Sequence, residues 1–232
     1  MKRKKTFIGA LIIIVLTSFI ACSQNEEPSY SCNPKANAWV KSNIRRVKSM
    51  NRKDWKKLDA NYRLGAYRAF TPKQKLDFWK DKFEELNQMQ WSPAEKIHLA
   101  KALAFIVSHA DFFSEKKLTD DQLDELELFF HKWKDDAIKH FGWSEHLCNS
   151  IVADGNSVLN KKGDIDAYDL NLQPSNPNAG FGPIKRDCDC SVKADFCYGA
   201  SPCVKTSTCN GTDFGCGIVW LMDCTGRCAQ TL

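Results

Sequence analysis

Eight cysteines crowd into 41 residues near the C-terminus: Cys188, Cys190, Cys197, Cys203, Cys209, Cys216, Cys224 and Cys228. Their spacing is C-x-C-x6-C-x5-C-x5-C-x6-C-x7-C-x3-C. That density lies far above the ~8–10% that marks a disulfide scaffold. Structural zinc is the rival use of such cysteines, but zinc sites favour C-x2-C pairs and often histidine. The segment has no C-x2-C, and all five histidines precede residue 150. Its apolar residues are few, with Phe196, Phe214, Val219, Trp220 and Leu221 as a minimal core. Such a core cannot offset a chain entropy of ~1–2 kcal/mol per ordered residue. Residues 188–232 are therefore expected to form a stapled module with four disulfides, no metal and no free thiol.

Disulfides of this kind need an oxidising compartment, and the N-terminus supplies the route. Lys2, Arg3, Lys4 and Lys5 precede an apolar run from Phe7 to Ala21, interrupted only by Thr17 and Ser18. The run is shorter than the ~20 apolar residues of a spanning helix, so 1–21 reads as a signal peptide. Phe19-Ile20-Ala21-Cys22 resembles a lipobox, which makes Cys22 the expected lipidation site. Residues 22–32 then form a flexible tether. Within it, Gln24-Asn25-Glu26-Glu27 resembles the short acidic signal that sends some Gram-negative lipoproteins to the cell surface. The expected location is thus the outer membrane, through a lipid anchor.

The signal also explains the basic charge. Four of the basic residues behind the formal net charge of +5 lie in it, so the remaining chain is close to +1. No basic stripe with interleaved aromatics is present, and nucleic acid is excluded as a partner.

Residues 33–153 carry repeated helix-start signals. Thr71-Pro72-Lys73-Gln74, Ser92-Pro93-Ala94-Glu95 and Thr119-Asp120-Asp121-Gln122 are capping boxes, and Asn33-Pro34 begins an earlier helix in a similar way. Apolar residues follow a 3-4 spacing: Ala36, Val40, Ile44, Val47; Leu76, Trp79, Phe83, Leu86; Leu123, Leu126, Phe130, Trp133, Ala137. The helix from Pro93 has two apolar sets, Ile97/Ala100/Ala104/Val107 and Leu99/Leu103/Ile106, and is expected to be the central, most buried one. Gly142 stops the helix from Asp120, and a short helix over Ser144–Ala153 carries Cys148. Cys32 and Cys148, the remaining pair, are expected to close the helical domain with a disulfide.

Residues 154–187 are rich in Gly, Pro, Asn and Asp and are expected to be a linker. Lys185-Arg186 at its end offers a cleavage site for a trypsin-like protease. The chemical candidates are thin. Asp164-Ile-Asp166-Ala-Tyr-Asp169 lacks the glycine and distal glutamate of an EF-hand. Neither Glu95-Lys-Ile-His98 nor Glu145-His146 is a metalloprotease motif. No catalytic constellation is present, so the chain is expected to be no enzyme and to need no cofactor or metal. The module from Asp187 holds five acids and three bases. That net negative charge disfavours capture by anionic lipid and favours a protein or cell-envelope receptor.

Cys188-Asp-Cys190-Ser191, Asp195-Phe196-Cys197, the two x5 gaps, and Gly215-Cys216-Gly217 with Trp220 four residues beyond the cysteine carry a resemblance. The segment Cys188 to Trp220 resembles fulvocin C, a small cysteine-rich bacteriocin, and the whole chain resembles the fulvocin C-related lipoprotein family. Tyr62-Arg63 before Phe70, then a Pro-containing helix start with Lys75 and Trp79, fits that family as well. The last gaps, x7 and x3, are longer than in the bacteriocin. The resemblance implies a toxin-like module, and the leading expectation is a surface-tethered, bacteriocin-like protein whose effector is 188–228, with the helical domain as its carrier or chaperone and Lys185-Arg186 as the place where a protease could release it. The alternative is a non-toxic surface lipoprotein that uses the stapled module for recognition. The expected fold is mainly α: an N-terminal helical domain followed by a small, irregular, disulfide-rich module.

Overall fold

The computed structural model describes residues 28–114, 117–166, 186–194, 202–206 and 209–228. Eight helices among them precede a C-terminal segment with three disulfides and three two-stranded sheets. The mainly α class with a small stapled module is what the sequence indicated.

The helices are α1 (Pro34–Ser42), α2 (Ile44–Val47), α3 (Arg52–Trp55), α4 (Ala60–Arg68), α5 (Pro72–Asn87), α6 (Pro93–Ser108), α7 (Asp120–Phe141) and α8 (Glu145–Val152). All but α2 start on a side-chain cap. At Thr71, Ser92 and Thr119 both halves of the capping box form, with Gln74, Glu95 and Gln122 returning the hydrogen bond. Asn33, Asn51, Asp59 and Ser144 cap α1, α3, α4 and α8. Each cap satisfies an amide that has no partner within the helix. Gly142 ends α7 in the left-handed region, φ 66°, where other residues are strained.

The core lies where α5, α6, α7 and α8 pack in turn, with α3 and the 3-10 turn Ala110–Phe113 against α5 and α1 against α4. The central helix is α5 rather than α6. Phe78, Trp79, Lys82, Phe83 and Leu86 of α5 are all buried. On α6, Leu99, Ala102 and Ile106 are buried, while the other apolar set faces solvent, with Ile97 63% and Val107 46% exposed. Two apolar stripes on α6 meet only one buried layer, because α5 and α7 both pack on the Leu99 side.

The expected linker begins later than residue 154. Val158 and Ile165 are buried and pair in an antiparallel bridge. The Ser150 hydroxyl donates to Gly163 O at 2.6 Å, and Lys161 ion-pairs with Glu95 at 2.9 Å. Residues 154–166 are thus a packed lobe of the helical domain, and 167–185 lie outside the described residues. The expected tether is shorter too: Ser31 is buried, and Tyr30 packs against the core and donates its amide to Asn37 Oδ1.

The module's strands are β1 (Arg186–Asp187), β2 (Cys203–Val204), β3 (Cys209–Asn210), β4 (Thr212–Cys216), β5 (Met222–Cys224) and β6 (Arg227–Cys228). Parallel β1–β3 and antiparallel β2–β6 and β4–β5 make three separate pairs.

Candidate functional site

The β4–β5 hairpin is closed by the Cys216–Cys224 disulfide and carries an unbroken apolar run, Ile218-Val219-Trp220-Leu221-Met222, at its tip. A strand pair this small has no interior of its own, so the run must be covered by something else. It is covered by the helical domain. Ile218, Val219 and Met222 are 0–2% exposed and belong to the same core cluster as α5 and α7.

Trp220 sits in an aromatic socket. Its ring lies 4.7 Å from Tyr67, 5.7 Å from Trp55 and Phe78, and 5.8 Å from Trp79. Most of these contacts are edge-to-face or tilted, the arrangements that ring quadrupoles favour. The indole N–H donates to Ala153 O at 2.9 Å. The Tyr67 hydroxyl accepts from Trp79 Nε1 at 3.0 Å and donates to Val219 O at 3.4 Å, and burial pushes its phenol pKa up. Gly155 leaves the room: a Cβ there would stand 2.5 Å from Trp220 Cη2, 2.8 Å from Phe78 Cζ and 3.0 Å from Trp55 Cη2. Seating the ring forces the turn into an unusual shape. Val219 and Trp220 both take positive φ, 40° and 56°. Such backbone costs of order 1–3 kcal/mol per residue and persists only where surrounding contacts outweigh it.

Basic residues hold the socket's walls. Arg68 donates Nε to Phe214 O at 3.2 Å and Nη1 to Tyr30 O at 3.3 Å, and its Nη2 lies 3.5 Å from Cys224 Sγ. It therefore ties the N-terminal segment, α4 and the hairpin together. Lys75 places its ammonium 3.6 Å from the Phe214 ring centre, and burial pushes that amine down to about 8. On the other side, the 153–157 segment that walls Trp220 is held by its own carbonyls. Arg52 donates to Gly155 O at 3.0 Å, and Lys82 to Ser150 O at 2.5 Å and to Asp154 O. Arg63 reaches Asn156 Oδ1 at 2.6 Å and Lys56 reaches Ser157 Oγ at 2.8 Å. Burial pushes Lys82 down to about 7. Burial would raise the Glu85 carboxyl, but Ser157, Arg52 and Lys56 outweigh that and hold it at about 2. These ions pair with backbone and with each other. Their arrangement fixes the wall against which Trp220 rests.

At the rim, Lys117 pairs with Asp223 at 3.1 Å. A groove of about 420 Å³ runs along the same seam, between Asp124, Glu127 and His131 of α7 and Lys193, Ala194 and Ile218 of the module. Among the described residues, no group of His, Cys, Asp and Glu side chains could hold a metal ion.

Among the described residues three disulfides are present: Cys188–Cys209, Cys190–Cys203 and Cys216–Cys224. Multiple disulfides place the chain in an extracytoplasmic compartment. Among the described residues no helix is long and apolar enough to cross a membrane. Cys197 and Cys22 lie outside the described residues, and Cys228 is placed by its backbone, opposite Cys203.

Cys32 and Cys148 depart from expectation: they are thiols rather than a disulfide. Cys32 precedes α1, which packs on α4, whereas Cys148 sits on α8, which packs on α7. Cys148 is fully buried in the helical core, and burial pushes its thiol to about 12. It serves as a small apolar residue.

Lys185 lies outside the described residues, and Arg186 is strand-paired in β1 with Cys209 opposite. The expected private core of the module is also corrected. Val219 and Trp220 pack into the helical domain, Leu221 packs against the same cluster, Phe214 lies under Lys75, and Phe196 is outside the described residues. What clusters within the module itself is Cys188, Cys209, Cys216 and Cys224. The socket was missed at the sequence level, although five consecutive apolar residues between two cysteines were the available signal.

Against models of known protein families, curated proteins and solved structures, the chain finds no match.

Proposed function

We propose that this chain is an exported, surface-tethered lipoprotein of a Gram-negative envelope, anchored through Cys22, whose helical domain carries a bacteriocin-like, disulfide-stapled module at 188–228. The module works while seated on its carrier. The single observation behind the last point is the burial of the hairpin tip: a module cut free would expose Ile218, Val219 and Met222 and leave the socket open. Support for the effector class comes from the fulvocin-like cysteine spacing, with Trp220 at its place beyond Cys216. The second reading, a non-toxic recognition module, is favoured by the same fixed seating. On either reading the target is a protein or wall component rather than anionic lipid, given the module's acidic balance.

The test applies purified, oxidised, full-length protein to envelope fractions and to growing cells of related bacteria. Saturable envelope binding with growth inhibition supports the effector. Saturable binding without inhibition supports recognition alone. Neither, at micromolar protein, would sink both. Mass spectrometry of the cell-associated form should show an acylated Cys22, and Cys22→Ser should abolish membrane association.

A further inference from the structure

The seat of Trp220 has the features of a ligand site as well as of a core. One aromatic side chain enters a pocket walled by Trp55, Tyr67, Phe78 and Trp79. One hydrogen bond, from the indole to Ala153 O, fixes its depth. A second, from Tyr67 to Val219 O, reads the backbone of the turn. Gly155 supplies the clearance, and Trp220 remains only half-buried, so the ring is a plug reaching in from the surface. A central aromatic anchor with a polar, screened rim pair, here Lys117–Asp223, is the anatomy of a binding hot spot.

The other half of the contact is a self-contained element. The hairpin is closed on itself by Cys216–Cys224, so its tip is presented by a covalent loop and not by the chain that leads to it.

We propose that the aromatic socket of the helical domain is a receptor site for a disulfide-closed, Trp-tipped hairpin, and that it holds the module without a covalent link. This deepens the carrier half of the proposed function and does not depend on the effector half. Its consequence is specific: a cut between the helical domain and the module does not by itself release the module. Release requires a competitor for the socket, and a hairpin of the same chemistry, including that of a second copy of this chain, is such a competitor.

The experiment uses the full-length oxidised protein with a site for a sequence-specific protease introduced between residues 174 and 177. After cutting, the two pieces should co-elute on size exclusion at about micromolar concentration and part in urea. Mixing nicked protein whose module carries a mass label with unlabelled nicked protein should yield exchanged pairs. A disulfide-closed peptide spanning 212–224 should accelerate the loss of label. Trp220→Ala should weaken retention by at least about 100-fold, as loss of a central aromatic anchor does. Gly155→Ala, which keeps the indole but fills its space, should weaken it by at least about 10-fold. Lys117→Ala, at the rim, should change it by less than about 5-fold.

Separation of the pieces without denaturant would overturn the inference. So would retention that Trp220→Ala leaves unchanged, or a helical domain that unfolds whenever the module departs. In that last case the hairpin is core and not ligand. A nicked protein that keeps and exchanges its module yet neither inhibits cells nor binds envelopes would refute the proposed function alone.

Discussion

Gly155→Ala isolates the close approach at the socket. The backbone at Gly155 lies outside the positive-φ region, so alanine meets no conformational penalty there. In open space the change would stabilise by ~0.4–1 kcal/mol, because it restricts the unfolded chain. Here the added methyl would stand 2.5, 2.8 and 3.0 Å from ring carbons of Trp220, Phe78 and Trp55. Those rings are locked against each other and cannot swing aside singly. Overpacking of this kind costs ~1–3 kcal/mol, and three simultaneous ring contacts argue for the upper end. The net expectation is a loss of ~2 kcal/mol, which for a chain of this size lowers Tm by roughly 4–8 °C. The decisive assay is a double-mutant cycle by urea unfolding. In a Trp220→Ala background the closest contact is gone, so Gly155→Ala should cost at least ~1 kcal/mol less than in the wild type. Equal cost in both backgrounds, or a stabilised single variant, would refute the clearance argument.

Three further outcomes follow from buried titratable groups. Lys82 falls from 10.5 to about 7 on folding. Between those values the unfolded chain holds a proton that the folded chain lacks, so stability should rise with pH there, and Lys82→Met should flatten that rise in urea midpoints. His98 is buried, with Nε2 2.9 Å from Trp133 O, and burial lowers its pKa below the ordinary 6.5. The unfolded chain therefore takes up that proton first. Stability should fall as pH drops below 6.5 towards the lowered folded value, and His98→Gln should remove that step from unfolding curves on the acid side of pH 6.5. Cys148 should resist alkylation in the native protein and react, together with Cys32, once the unreduced chain is unfolded; a mass shift showing both blocked would restore the disulfide between them.

The parts of the fold that were legible in the sequence are those encoded within four residues. The boxes at Thr71–Gln74, Ser92–Glu95 and Thr119–Gln122 form as their spacing demands, because donor and acceptor belong to one helical turn. Helices α3 and α4 went unresolved as separate elements: α3 has four residues and α4 only nine, too short for a repeating apolar stripe, although Asn51 and Asp59 mark both starts. Periodicity identified both apolar stripes on α6 but carries no information on which one finds a neighbour, so Ile97 and Val107 emerge on the surface. The 154–166 lobe was hidden for a different reason. Its glycines and asparagines have the composition of a loop, and what orders it is donated from afar, by Arg52, Lys56, Arg63 and Lys82 to carbonyls and polar side chains about 70–100 residues away.

The socket failed to show for the same physical reason, and its geometry explains why the cysteines are where they are. Trp220 meets Tyr67 across more than 150 residues of sequence, a contact that no local pattern encodes. Two consecutive positive-φ residues at the tip make the seated turn a conformation that a free loop would rarely visit. A disulfide at the base, Cys216–Cys224, removes much of the alternative freedom before the tip is seated. The other two pairs among the described residues, Cys188–Cys209 and Cys190–Cys203, join segments that precede the hairpin in sequence and have no apolar cluster beyond the cysteines themselves. The module is thus cross-linked where it cannot pack, and apolar where it is not cross-linked. Its staples set the shape of a surface whose hydrophobic complement lies on the helices, where Trp220 is seated against Tyr67.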